Sequence, residues 1–366
     1  MKKRILIVVG TRPNFIKVTR FKKVAELYPD MEVKIVHTGQ HYDYRMADVF
    51  FSQFNLIPDY FLDIPQASAN TQMAEIMIKL EKLTNVYKPH LLLVPGDVNS
   101  TLAAAITANK TGIKMAHIES GLRSFDRTMP EEFNRILTDE LSNYFFVTEQ
   151  SGIDNLLKEG KRKDAIFFVG NTMIDTLVAF ENEIQASSIL QKLQLNEEKF
   201  VLMTIHRPAT VDNKKEFKKL IGLIDILTEK YKIIFPVHPR TLRKAEEFLL
   251  INKLKNNNKL ILVDPLDYFS FQKLVVSCAF ILTDSGGIQE ESTFRKVPCL
   301  TLRANTERPS TVGLGTNTLI PFDTDIIMKQ IKKIENNTYK KGVIPPCWDG
   351  KSTERMMKII FKKILQ

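Results

Sequence analysis

Three acidic residues stand where an α/β chain usually does its chemistry. Asp97 follows an apolar run in Gly96-Asp97-Val98-Asn99-Ser100-Thr101, and Glu119 ends His117-Ile118-Glu119. Glu131 lies in Pro130-Glu131-Glu132-Phe133-Asn134-Arg135. Carboxylates gathered at strand ends are the groups that move protons. Each also has a plainer role: a helix N-cap for Asp97, a charged first helical turn for Glu131, and an i,i+3 surface pair for Glu132 with Arg135.

A second set of residues suits an anionic ligand. In Gly10-Thr11-Arg12-Pro13-Asn14-Phe15-Ile16-Lys17, Pro13 fits the first turn of a helix, and Arg12 and Lys17 flank that helix start, where phosphate charge is welcome. His206 in His206-Arg207-Pro208 and His238 in His238-Pro239-Arg240 each end an apolar run. In Thr283-Asp284-Ser285-Gly286-Gly287-Ile288-Gln289-Glu290-Glu291, two glycines open a helix and let backbone N–H groups approach a phosphate. Glu290 or Glu291, one turn further in, can accept both hydroxyls of a ribose. Thr306-Glu307-Arg308-Pro309 adds a cation. Neither GxGxxG nor GxxxxGKS occurs, which disfavours nicotinamide and P-loop chemistry.

These residues need strands to carry them. Runs rich in Val, Ile, Leu and Phe alternate with helical patterns, which predicts parallel sheets covered on both faces. One series runs Arg4–Val9, Val33–Thr38, Leu91–Gly96, Lys114–Glu119, Tyr144–Val147 and Ile166–Val169. The other runs Phe200–Ile205, Lys232–Val237, Leu260–Val263, Phe280–Thr283, Pro298–Leu302 and Thr318–Ile320. The polar stretch Val178–Lys199 divides them into an N-terminal domain, 1–177, and a C-terminal domain, 178–351. A final helix, 352–366, with Ser352 as a partial N-cap and Met357, Ile360, Phe361 and Ile364 on one face, is expected to return to the first domain.

The 366 residues and 44% apolar content suit two cores. No apolar run reaches membrane-spanning length. The opening Met1-Lys2-Lys3-Arg4 and its short apolar run lack a cleavage site and read as a buried first strand, so a cytoplasmic location without membrane insertion is expected. Three scattered cysteines fit small buried hydrophobes. The net charge of +10 is spread over several segments without a nucleic-acid motif, so nucleic acid is not an expected partner.

Taken together, the motifs resemble the non-hydrolysing UDP-N-acetylglucosamine 2-epimerases, in order from Gly10 to about Gly315. Pro130–Arg135, Asp284–Glu291 and Thr306–Pro309 are intact, and Glu119-Ser120-Gly121-Leu122-Arg123 and His206-Arg207 match closely. The resemblance implies an α/β protein of two Rossmann-like, doubly wound domains in a GT-B arrangement, with the active site in the interdomain cleft. It implies a homodimer, a UDP-sugar substrate and no cofactor. It implies anti-elimination of UDP to 2-acetamidoglucal and re-addition, giving UDP-N-acetylmannosamine for a surface polysaccharide. By the same resemblance, Asp97, Glu119, Glu131 and His206 are catalytic. Arg12, Lys17, Ser285, Gly286, Gly287, Glu291 and Arg308 hold nucleotide and phosphate, and Phe271 lies near the uracil. Asn14 and Asp43 depart from the family's Glu and second Gln, leaving Gln40 and His238 as candidates for an allosteric subsite. The alternatives are a 2-epimerase of UDP-2,3-diacetamido sugar uronates, a hydrolysing epimerase, a GT-B glycosyltransferase, and a nucleotide-sugar sensor without turnover.

Overall fold

The structure, a computed structural model, describes residues 2–39, 51–195 and 199–365. Gln40 and Asp43 lie outside the described residues. The chain forms two compact units, 1–179 with 346–366, and 180–345.

In the first unit, β1 (Lys3–Val9), β2 (Met31–His37), β3 (Tyr60–Phe61), β4 (Leu91–Pro95), β5 (Met115–Ile118), β6 (Tyr144–Val147) and β7 (Ile166–Phe168) form one sheet. Its order is β3-β2-β1-β4-β5-β6-β7, and every pairing is parallel. The central strands are buried along nearly their whole length, as unbroken apolar runs require when helices cover both faces. The two-residue edge strand β3 has no such run and was not foreseen.

In the second unit, β8 (Phe200–Thr204), β9 (Lys232–Pro236), β10 (Leu260–Val263), β11 (Phe280–Thr283), β12 (Cys299–Leu302) and β13 (Asn317–Ile320) form a parallel sheet in the order β10-β9-β8-β11-β12-β13. Phe217, Leu220 and Leu223 of the helix Lys214–Thr228 pack into its core with Phe235 and Phe280. The polar stretch before β8 forms two short helices, Glu181–Gln185 and Ile189–Lys192. Cys278 and Cys299 are buried as expected, whereas Cys347 is only partly so.

The return to the first unit comes earlier in the chain than expected. Residues 346–351 belong to the first unit because the fully buried Trp348 donates its indole N–H to the Thr148 carbonyl at 3.0 Å. The helix Ser352–Ile359 then packs on the helix Phe21–Ala25, and Phe361 lies against Tyr28 at 5.2 Å between ring centres. Met356, Met357 and Ile360 are fully buried, each contributing roughly 1.5–3 kcal/mol. Ser352 is not the N-cap: it is the first helical residue, and its side chain caps nothing. Asp175 does this work from the helix Thr172–Ala179, accepting the N–H groups of Ser352 at 3.0 Å and Thr353 at 2.5 Å. A carboxylate there satisfies two orphan donors and meets the positive end of the helix.

Candidate active site

Each sheet has one point where successive connections leave in opposite directions, and ligands bind outside the strand ends there. In the first sheet that point lies between β1 and β4; in the second, between β8 and β11. Several residues singled out from the sequence stand there: Asp97 follows β4, His206 follows β8 and Ser285 follows β11.

At the first, Gly96 follows β4 with φ of +69°, and a Cβ there would lie 2.9 Å from Asn14 Nδ2 and 3.1 Å from Lys17 Nζ. Only glycine lets these groups close over the strand end. Asn14 is pinned by Thr11 Oγ1 at 3.0 Å and donates to the Pro95 carbonyl at 3.0 Å. Lys17 forms a buried ion pair with Glu119. Glu119 sits in the left-handed region at φ of +71°, which costs a non-glycine residue about 1 kcal/mol or more. Its N–H and that of Ser120 both reach the Phe146 carbonyl, at 3.1 and 3.2 Å, and hold the turn.

Asp97 is not an N-cap; the helix Asn99–Thr111 is preceded by Val98 and has no side-chain cap. Its carboxylate pairs with Arg135. The surface pair expected of Glu132 and Arg135 is in fact buried. Burial alone would raise the Glu132 carboxyl, but the Ser124 N–H and hydroxyl, Arg135 and the Phe125 N–H outweigh it and hold it below the usual range. Asn134 ties this helix to the β4 loop by donating to the Asp97 carbonyl at 2.9 Å. Glu131, in the first turn of the helix Pro130–Leu141, is exposed. Arg12 is partly exposed at the start of the helix Arg12–Ile16.

At the second point, Asp284 follows β11 fully buried and was not singled out from the sequence. Its Oδ1 lies 2.8 Å from His206 Nδ1, while Oδ2 accepts the N–H of His206 at 2.8 Å and of Arg207 at 2.7 Å. Its place inside Asp284-Ser285-Gly286-Gly287 was the available signal. The His238 ring lies 5.5 Å from that of His206. Partial burial, with His206, Arg240 and Arg243 nearby, holds it below the usual histidine range.

Ser285 and Gly286 lead into the helix Gly287–Arg295, and the Ser285 N–H donates to Thr283 Oγ1 at 2.9 Å. A Cβ on Gly286 would meet Glu307 Oε1 at 2.8 Å and Arg308 Nη1 at 2.9 Å. Arg308 pairs with Glu290 at 2.8 Å and with Glu307, which also holds Arg303. Glu291 is buried deeper. Burial pushes its carboxyl up to about 7 with help from Glu290, against the Gln272 hydrogen bond and Arg295. Phe271, on the helix Tyr268–Ser277, is partly buried against the core of this unit.

Two Rossmann-like units, with carboxylates at the switch point of one and a glycine-led helix start at that of the other, define an α/β enzyme of the GT-B-like class. The chain belongs to the UDP-N-acetylglucosamine 2-epimerase family, whose model matches residues 24–361. It is 40% identical over 367 residues to the UDP-N-acetylglucosamine 2-epimerase of Methanococcus maripaludis, covering 98% of both chains. It superposes with a TM-score of 0.90 on the Methanocaldococcus jannaschii UDP-GlcNAc 2-epimerase in complex with UDP-GlcNAc and UDP, at 39% identity, covering 98% of this chain and 99% of that one. It is also 36% identical over 333 residues to the UDP-2,3-diacetamido-2,3-dideoxy-D-glucuronate 2-epimerase of Pseudomonas aeruginosa, covering 90% and 91% of the two chains. Among the described residues, no helix is long and apolar enough to cross a membrane.

Proposed function

We propose that this protein interconverts UDP-N-acetylglucosamine and UDP-N-acetylmannosamine without hydrolysis, as a homodimer that supplies a surface-polysaccharide precursor. The observation that carries the chemistry is the placement of Asp97 and Glu119: they follow the adjacent strands β4 and β5, and each is paired with a buried cation.

The C2 proton of the sugar is weakly acidic, so a base alone is slow and the leaving group must be stabilised. One carboxylate takes the C2 proton as the C1–O bond breaks. UDP leaves with that electron pair, and 2-acetamidoglucal remains. UDP then adds back to C1 while a proton reaches C2 from the opposite face. Asp97, Glu119 and Glu131 serve the two faces. His206, held through Nδ1 by Asp284, serves the departing phosphate. The Ser285-Gly286-Gly287 helix start, Arg12, Lys17 and Arg308 meet the phosphate charge, Glu291 the ribose, and Phe271 the uracil. Lys17 pairs with Glu119 and Arg308 with Glu290, so phosphate binding exchanges these carboxylates for phosphate oxygens. His238 and Gln40 remain candidates for a second UDP-sugar subsite.

Proton NMR of the protein with UDP-N-acetylglucosamine in heavy water tests this. UDP-N-acetylmannosamine carrying deuterium at C2 is the expected product. Free N-acetylmannosamine with UDP would make the enzyme hydrolysing. No change, with turnover of a UDP-2,3-diacetamido uronate instead, would transfer the substrate to that of the Pseudomonas relative. Light scattering at twice the monomer mass checks the dimer.

A further inference from the structure

The three acids stand on three separate segments: Asp97 after β4, Glu119 after β5, and Glu131 in the first turn of the helix Pro130–Leu141. One buried pair touches all three. His117, at 0% exposure within β5, has Nε2 2.8 Å from the carbonyl oxygen of Gly96, the residue before Asp97. Its Nδ1 lies 2.7 Å from Oδ1 of Asp139, also at 0% exposure and in the helix that carries Glu131. The other Asp139 oxygen accepts the Gly121 N–H at 3.0 Å, two residues beyond Glu119, and pairs with Arg123 Nη2 at 2.7 Å.

A carbonyl oxygen only accepts. Burial would raise the Asp139 carboxyl, but His117 and Arg123 outweigh it and keep the group a carboxylate, which also only accepts. Both His117 ring nitrogens therefore face oxygens, one of a backbone carbonyl and one of a buried carboxylate. Arg123 extends the cluster to a second carboxylate, Glu159, at 2.7 Å. Each polar contact of His117 and Asp139 named here ends on an acid-bearing segment or on the turn that follows Glu119.

We infer that His117 and Asp139 are positioning residues that set the spacing among Asp97, Glu119 and Glu131, and that neither exchanges a proton with substrate. The inference rests on the epimerase reading above. The variants His117→Gln and Asp139→Asn nearly keep side-chain volume but replace the ring that bridges the two segments or remove the negative charge. Steady-state epimerisation and calorimetric UDP titration are measured on each, and kcat is expressed per UDP-binding site so that loss of folded protein does not count. The expected result is a fall in kcat of about 100-fold, the scale of an ångström-sized misplacement, with KM and UDP affinity within about threefold of wild type. A purely structural role would lower the number of UDP-binding sites and leave kcat per site unchanged, and that result overturns the inference. Should Asp139→Asn fail to fold, His117→Gln decides. Inactive wild-type protein overturns the epimerase reading itself; active wild type with equally active variants overturns only this inference.

Discussion

The two switch points are built from the same fold and charged in different ways. In the first unit, carboxylates and cations neutralise one another inside the protein: Lys17 with Glu119, and Arg135 with Asp97 and Glu132. In the second, a buried Asp284 braces a partly exposed histidine, and a glycine pair opens a helix beside Arg308. In the first arrangement carboxylates and cations satisfy one another; in the second a helix start lies beside a cation. On the proposed function, loss of chemistry at the acids of the first and loss of nucleotide binding at the glycine-led helix start of the second should be separable.

The strongest test of that division is to remove the acids. Asp97→Asn, Glu119→Gln and Glu131→Gln are each expected to lower kcat by about 10²–10⁴-fold, with UDP affinity by calorimetry unchanged. Near-normal turnover in all three would break the comparison. Asp284→Asn comes next, because it removes the charge that orients His206 and two backbone N–H groups. Its kcat should fall on the order of 10²-fold, at a stability cost of roughly 1–3 kcal/mol in chemical denaturation.

Gly286→Ala sharpens the other side. The added methyl displaces Glu307 and Arg308, so UDP should bind about tenfold more weakly while kcat at saturating substrate stays near wild type. A kcat loss without a change in affinity would assign this helix start to chemistry.

The smallest effect comes from Glu291. Folding takes its carboxyl from an ordinary 4.5 to about 7, so between those values the native chain binds the extra proton. Its stabilising contribution is complete below pH 4.5 and is lost as pH rises through about 7. Thermal unfolding between pH 4.5 and 8 should therefore show a downward component, on the order of a few degrees, that Glu291→Gln removes. An unchanged slope in that variant would place the titration elsewhere.

Much of the fold was legible because strands buried on both faces leave unbroken apolar runs. Tyr144–Val147, Leu260–Val263 and Phe280–Thr283 begin and end where the residues suggest. The edge strand β3 was not, since two residues at a sheet margin carry no pattern. The site residues were legible as types and places, but not as partners. Nothing local to Lys17 points to a carboxylate 102 positions away, and Glu132 with Arg135 reads equally well as a solvated helical pair. Asp175 went unseen as the cap of the last helix for the same reason: the donors it serves are 177 and 178 positions downstream.

The late return of the chain has a consequence for biosynthesis. The second unit is one continuous stretch, so all of its strands emerge from the ribosome together. The first unit cannot close until Trp348 and the helix beginning at Ser352 have been made, after the whole of 180–345. At elongation rates of roughly 5–20 residues per second, that is a wait on the order of ten seconds or more. During it, the nascent first unit lacks the apolar cover that Met356, Met357 and Ile360 supply in the finished fold.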